Sequence, residues 1–160
     1  ELERKQMVLT LDLGAIGSAS YQTCAVRKIA CAHPALQIVV AHLAQPSLRM
    51  RTERALLREW KEQLDLGSLP NVFFDLASLP NYVPPEEPWP FPTAERFLRD
   101  ALERLGSRKI LWGSDIPGLL LKDSYRALLS ASRHWLRKLS SVERSRILGA
   151  NAMRIYFNQG

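Results

Sequence analysis

The stretch Gln37–Leu43, QIVVAHL, decides the fold. Its apolar residues run almost without interruption and then stop at an imidazole. A strand buried on both faces reads this way, and strands buried on both faces belong to parallel sheets. Working outward, the same kind of segment recurs three times: Met7–Leu13 (MVLTLDL), Asn71–Leu76 (NVFFDL) and Lys109–Ser114 (KILWGS). Between them lie amphipathic segments. Helices are predicted over 20–32, 47–65, 93–105 and 124–139, with Leu56, Leu57, Trp60 and Leu64 on one face of the second. Thr93 is a candidate N-cap. Ser140 and Glu143 have the spacing of a capping box for one more short helix, and 151–157 closes the chain.

Four strands, each followed by a helix, predict an α/β fold of βα repeats, one domain over residues 1–160. Four such units make half of a TIM-type (β/α)8 barrel, or an open doubly wound sheet. Periodicity alone does not choose between them. A half barrel leaves two sheet edges unpaired. The expected partner is therefore a missing N-terminal half-barrel or a second copy of the chain.

Composition narrows the functional classes. The chain is 46% apolar and 24% charged, ordinary values for a globular protein. No apolar run approaches the roughly 20 residues of a membrane span. The start carries no secretory pattern, so a cytoplasmic location is the expectation. The net charge of +6 raises the question of a polyanion partner. However, Arg49, Arg51, Arg54, Arg58 and Lys61 alternate with Glu53, Glu59 and Glu62, as on a solvated helix. No nucleic-acid motif is present, and nucleic acid is not favoured. Cys24 and Cys31 lie two helical turns apart, about 10 Å, too far for a disulfide. They are expected to be small buried residues.

In a parallel β/α sheet the C-terminal strand ends share one mouth. Asp12, His42, Asp75 and Asp115 end the four predicted strands in turn. Alternation puts Val8, Thr10 and Asp12 on one face of the first strand. It groups Ile38, Val40 and His42 on the second, and Leu111, Gly113 and Asp115 on the fourth. If those faces point inward, Asp12, His42 and Asp115 converge. Asp75 is either a loop brace or a substrate-binding residue. The proline-rich loop LPNYVPPEEPWPFPT at 79–93 follows the third strand, and its Tyr82, Trp89 and Phe91 could line a pocket. His33 reads as a helix C-cap, His134 as a surface residue, and Trp112 as packing against helices.

These segments resemble a known family. VVAHLAQP (39–46) is similar to the sixth strand of amidohydrolase-related barrels, with its active-site His. NVFFDLAS (71–78) resembles the seventh strand, LWGSDIP (111–117) the eighth, and ILGANAMRIY (147–156) the closing helix with its Asn-Ala pair. The resemblance implies the C-terminal half of such a barrel. It implies a metal-dependent hydrolase acting on the carbonyl carbon of a small-molecule substrate through activated water. Asp115 would ligate a divalent metal, zinc first, and take the water's proton. His42 would ligate, polarise or protonate, and Asp12 would stand where the family's strand-five His falls. The family's first-strand His-x-His is missing from this sequence, so the resemblance leaves two expectations open, a divalent metal bound here or its absence from this part of the protein. A decarboxylase of the same superfamily and a catalytically silent scaffold are the alternatives.

Overall fold

The computed structural model describes residues 1–157; the last three residues of the expected domain lie outside the described residues. Four parallel strands form one sheet: β1 (Val8–Leu11), β2 (Gln37–Val40), β3 (Val72–Asp75) and β4 (Ile110–Leu111), paired in the order β1-β2-β3-β4. The helices between and after them are α1 (Thr23–Ala32), α2 (Arg54–Leu64), α3 (Pro92–Leu105) and α4 (Tyr125–Trp135). Two short ones follow, α5 (Ser141–Ser145) and α6 (Asn151–Tyr156), joined by a π-helical turn at Arg146–Ala150.

The placement of the helices settles what periodicity left open. Ile38, Val40, Val72, Phe74 and Ile110 form one core with Val26 and Ala30 of α1, Trp60 and Leu64 of α2, Phe97 and Leu98 of α3, and Leu128 and Trp135 of α4. All four long helices therefore cover one face of the sheet. A doubly wound sheet would divide them between two faces. Sequential strand order with helices on one side is the layout of a barrel segment. The other face carries a separate cluster of Val39, Phe73 and Leu111, against which Val8, Ala152 and Ile155 pack.

Local chemistry sets the boundaries. The expected helix at 47–65 is split: Ser47 caps a short 3-10 turn over Leu48–Arg51, and α2 starts at Arg54. Thr93 is not an N-cap. Pro92 occupies the first turn of α3, and Phe91, at φ 57°, holds the cap position. Ser124 caps α4, and the Ser140–Glu143 capping box forms as the spacing predicts. The cysteines depart from expectation in one respect: both are exposed, because α1 turns Val26 and Ala30 to the core instead.

Two buried carboxamides tie the units together. The Asn71 side chain donates to the carbonyls of Ala30, His33 and Leu36, anchoring the end of α1 to the entry of β3. The Asn151 side chain donates to Ser107 and Ile110 at 2.8 Å each, and Trp112 N–H reaches the Ile147 carbonyl at 2.8 Å. The closing helix thus satisfies backbone groups along β4, and the Asn of the Asn-Ala pair has a physical role. Asn71→Ala and Asn151→Ala are each expected to lose about 1–3 kcal/mol, since buried carbonyls are left unpaired. Urea unfolding checks this.

At the strand N-terminal ends a cleft of about 520 Å³ is lined by Phe73, Arg108, Lys109, Arg146 and Arg154, among others. Burial, and then Arg154, lower the Lys109 ammonium from 10.5 to about 8. Between those values the unfolded chain binds more protons than the folded one, so Lys109 makes stability rise with pH across that window. Lys109→Met should flatten the slope of unfolding free energy against pH from 8 to 10; an unchanged slope would exclude this origin.

Candidate functional site

The site lies at the C-terminal ends of the strands. β2 ends at Val40, and the chain then takes positive φ at four successive residues, His42 to Gln45. Such a run is costly for non-glycine residues and needs tertiary contacts to hold it. One is the Asp75 carboxylate: its Oδ1 accepts His42 N–H at 2.9 Å and Ala77 N–H at 3.0 Å. Two more lie beneath the turn, where Tyr21 Oη–H and Trp60 Nε1–H donate to the Ala44 and Leu43 carbonyls at 2.9 Å each.

This turn corrects the alternation argument. Ile38 and Val40 face the helices, so strand parity would send residue 42 the same way. His42 reaches the mouth because extended geometry has already ended. For the first and fourth strands the predicted parity agrees, with Val8 and Leu111 on the face opposite the helices.

His42 is oriented through Nδ1, which lies 3.1 Å from the Ala77 carbonyl. A carbonyl only accepts, so Nδ1 carries the proton and Nε2 is left facing Asp12 Oδ2 at 3.7 Å. Asp12 Oδ1 accepts Gly14 N–H at 3.1 Å and the Gln45 side-chain amide. Asp115 follows β4 in a tight turn at φ 53°, its Oδ2 accepting the Ser78 hydroxyl at 2.6 Å. Gly113 allows this approach: a Cβ there would stand 3.1 Å from the Ala77 Cβ. Ala77 and Ser78, adjacent in sequence, therefore hold His42 and Asp115 respectively.

Tyr82 joins them, its ring 6.2 Å from that of His42. Burial, and then the charges of Asp12, Asp115 and Asp75, push the Tyr82 phenol well above its ordinary value. It is a protonated donor at neutral pH. Burial also raises the Asp75 carboxyl, with a smaller push from Asp115, against the lowering by its two N–H partners. A cleft of about 350 Å³ opens alongside, lined by Ile16, Gln45, Ser47, Arg49, Asn81 and Tyr82 among others.

The sequence-predicted residues thus separate. Asp12, His42 and Tyr82 are neighbours, Asp115 is held by Ser78, the residue after the Ala77 that meets His42, and Asp75 makes the hydrogen bonds of a loop brace. Trp89 instead stacks edge-on against His134 of α4, centroids 5.4 Å apart, and Phe91 is buried in the core. His33 caps α1 while its ring meets Glu3 at 3.0 Å. Trp112 packs on α4 through Ser132 and Tyr125. Sequence reading missed Gln45, Ser78 and Asn81, uncharged residues carrying no signal beyond their places in loops that follow strands.

A metal centre needs about three protein ligands. Among the described residues no group of three or more His, Cys, Asp and Glu side chains is placed to hold an ion. His42 and Asp12 offer a pair, and Asp115 does not complete a group of three with them. The described residues do not make a complete site for zinc. No helix among them is long and apolar enough to cross a membrane.

Comparison with known proteins agrees with this architecture. A family model described as amidohydrolase matches residues 20–157. The chain is 32% identical to an L-fucono-1,5-lactonase of Burkholderia multivorans over 142 residues, 82% of this chain and 46% of that protein. Two crystal structures of a Burkholderia multivorans amidohydrolase, one with bound HEPES and one with bound zinc, superpose with TM-scores of 0.82 and 0.80. Each is 27% identical, over 97% of this chain and 54% of the other. A TIM-barrel protein of Bordetella bronchiseptica shares the fold at TM-score 0.60 and 14% identity, over 99% of this chain and 48% of that one. The chain spans about half the length of the relatives it matches. From the family match and the barrel layout together, the chain belongs to the amidohydrolase family.

Proposed function

We propose that this chain is the part of a hydrolase that carries the reacting groups, and that its substrate is a small sugar lactone. The observation that carries the reading is the joint anchoring of His42 and Asp115 by Ala77 and Ser78 beside an open cleft. The lactonase relative supports the substrate class. The remaining barrel strands, from a longer chain or from a second copy, are part of this reading, because the matched relatives are about twice as long.

Lactone hydrolysis needs a base for water and a donor for the oxygen that leaves. With Oδ2 held by Ser78, Asp115 offers Oδ1 to an attacking water. The water oxygen bonds to the carbonyl carbon as its proton passes to Asp115. Two donors are at hand for the oxygens. Tyr82 keeps its phenolic proton and can polarise the carbonyl. His42, when protonated at Nε2, can do the same or protonate the ring oxygen. The ring C–O bond then breaks, the ring oxygen takes a proton, and a hydroxy acid is the product. Gln45, Ser47, Arg49 and Asn81 in the cleft suit the hydroxyl groups of a sugar.

Zinc accompanies a relative, but a zinc ion here would need ligands beyond the His42–Asp12 pair, and no step is drawn through it. Equilibrium dialysis of this chain against zinc is expected to give binding well below one ion per chain. Tight stoichiometric binding lost in His42→Gln would restore the metal-dependent reading.

The function is tested by hydrolysis of L-fucono-1,5-lactone followed by proton release. Asp115→Asn and His42→Gln should each lower kcat by about 10²- to 10⁴-fold, the range for loss of a positioned acid or base. Wild-type turnover in Asp115→Asn would remove the mechanism.

A further inference from the structure

Ser78 is not among the residues the sequence singled out, yet its environment is built. It is buried at 4% exposure and held at φ 59°, where a serine costs more than a glycine. Its hydroxyl has two partners. Asn81 donates its side-chain amide to Ser78 Oγ at 2.7 Å, and Ser78 Oγ lies 2.6 Å from Asp115 Oδ2. The amide donates into a lone pair of Oγ, and a carboxylate oxygen only accepts, so the hydroxyl proton points to Asp115.

We propose that Ser78 is the positioning residue for Asp115 and that Asn81 fixes the direction in which its hydroxyl donates. This rests on the role proposed above for Asp115. Asp115 is exposed in a turn at φ 53°, and the Ser78 hydroxyl holds its Oδ2, which restricts rotation of the carboxylate and leaves Oδ1 for the attacking water. Because Asn81 also lines the cleft, a ligand seated there touches the group that sets the hydroxyl. The chain from cleft to base is Asn81, Ser78, Asp115. Ala77, one residue earlier, holds His42, so one short segment after β3 sets both reacting groups in register.

The test compares Ser78→Ala, Ser78→Gly and Asn81→Ala with Asp115→Asn in the full chain, on L-fucono-1,5-lactone and by crystallography. Ser78→Ala should lower kcat about 10- to 100-fold with little change in KM, as expected when the support of a reacting group is removed. Ser78→Gly relieves the positive φ and should hold or raise Tm while losing kcat to the same extent, which separates the hydroxyl from the backbone. Asn81→Ala should fall between wild type and Ser78→Ala. In the crystal, the Asp115 carboxylate should rotate or spread over rotamers in Ser78→Ala. Wild-type kcat in both Ser78 variants, with Asp115→Asn inactive, overturns the positioning role alone. If the wild type does not hydrolyse the lactone, the functional reading fails, and the crystallographic arm still decides: an unmoved carboxylate in Ser78→Ala overturns the proposal.

Discussion

A carboxylate mostly buried at the end of β3 accepts N–H groups from two different segments, the turn after β2 and the turn after its own strand. Asp75 thereby joins them at one oxygen. Both segments run through backbone conformations that non-glycine residues seldom hold, and the shared acceptor satisfies a backbone N–H of each. Burial raises the cost of keeping that acceptor charged, and the two N–H donors offset it. Everything at the mouth follows from this junction: where His42 turns back, where the Ala77 carbonyl waits for its ring, and where Ser78 faces Asp115.

The mouth is rigid on one side and open on the other. Beneath it, Tyr21 and Trp60 pin the left-handed turn from the core, so the turn that carries the imidazole is tied to buried side chains. Above it, Asp12 and Asp115 are exposed, Tyr82 is half-buried, and the cleft beside them is lined by loops that follow β1, β2 and β3. The proline-rich loop takes a different part from the one its aromatics suggested. Tyr82 stays at the site. Farther along, the Trp135 indole donates to the Pro90 carbonyl and Lys122 to Pro85, laying Trp89 and Phe91 against the α4 side. The loop spans from the site to the neighbouring βα unit and braces the two together.

The same logic of one side chain serving several backbone groups recurs at the opposite end of the sheet. Asn71 and Asn151 each satisfy carbonyls at a helix end or strand entry, where regular hydrogen bonding runs out. β4 is only two residues long, and its backbone beyond the ladder is taken up by Asn151 and by the carbonyl of Ile147 in the π-helical turn. A six-residue apolar segment can thus read as a long strand while most of it is held by other partners.

The four strands, their order along the chain, the capping box at Ser140 and the arrival of Asp12, His42 and Asp115 at one end were legible in the sequence. Each depends on local periodicity or on residue type at a strand end. Three things were not. Periodicity could not place all four helices on one face, because an apolar strand is apolar in either architecture. Alternation could not place His42, because a left-handed turn, fixed by Asp75 from another strand, replaces the strand before that residue. The selection of Ser78 and Asn81 was also hidden: both are common loop residues, set apart by the 2.6 Å contact of Ser78 with a carboxylate 37 positions away and by the bond of Asn81 to Ser78. Tertiary structure decided these points because each rests on packing or hydrogen bonding between segments distant in the chain, which no local pattern encodes.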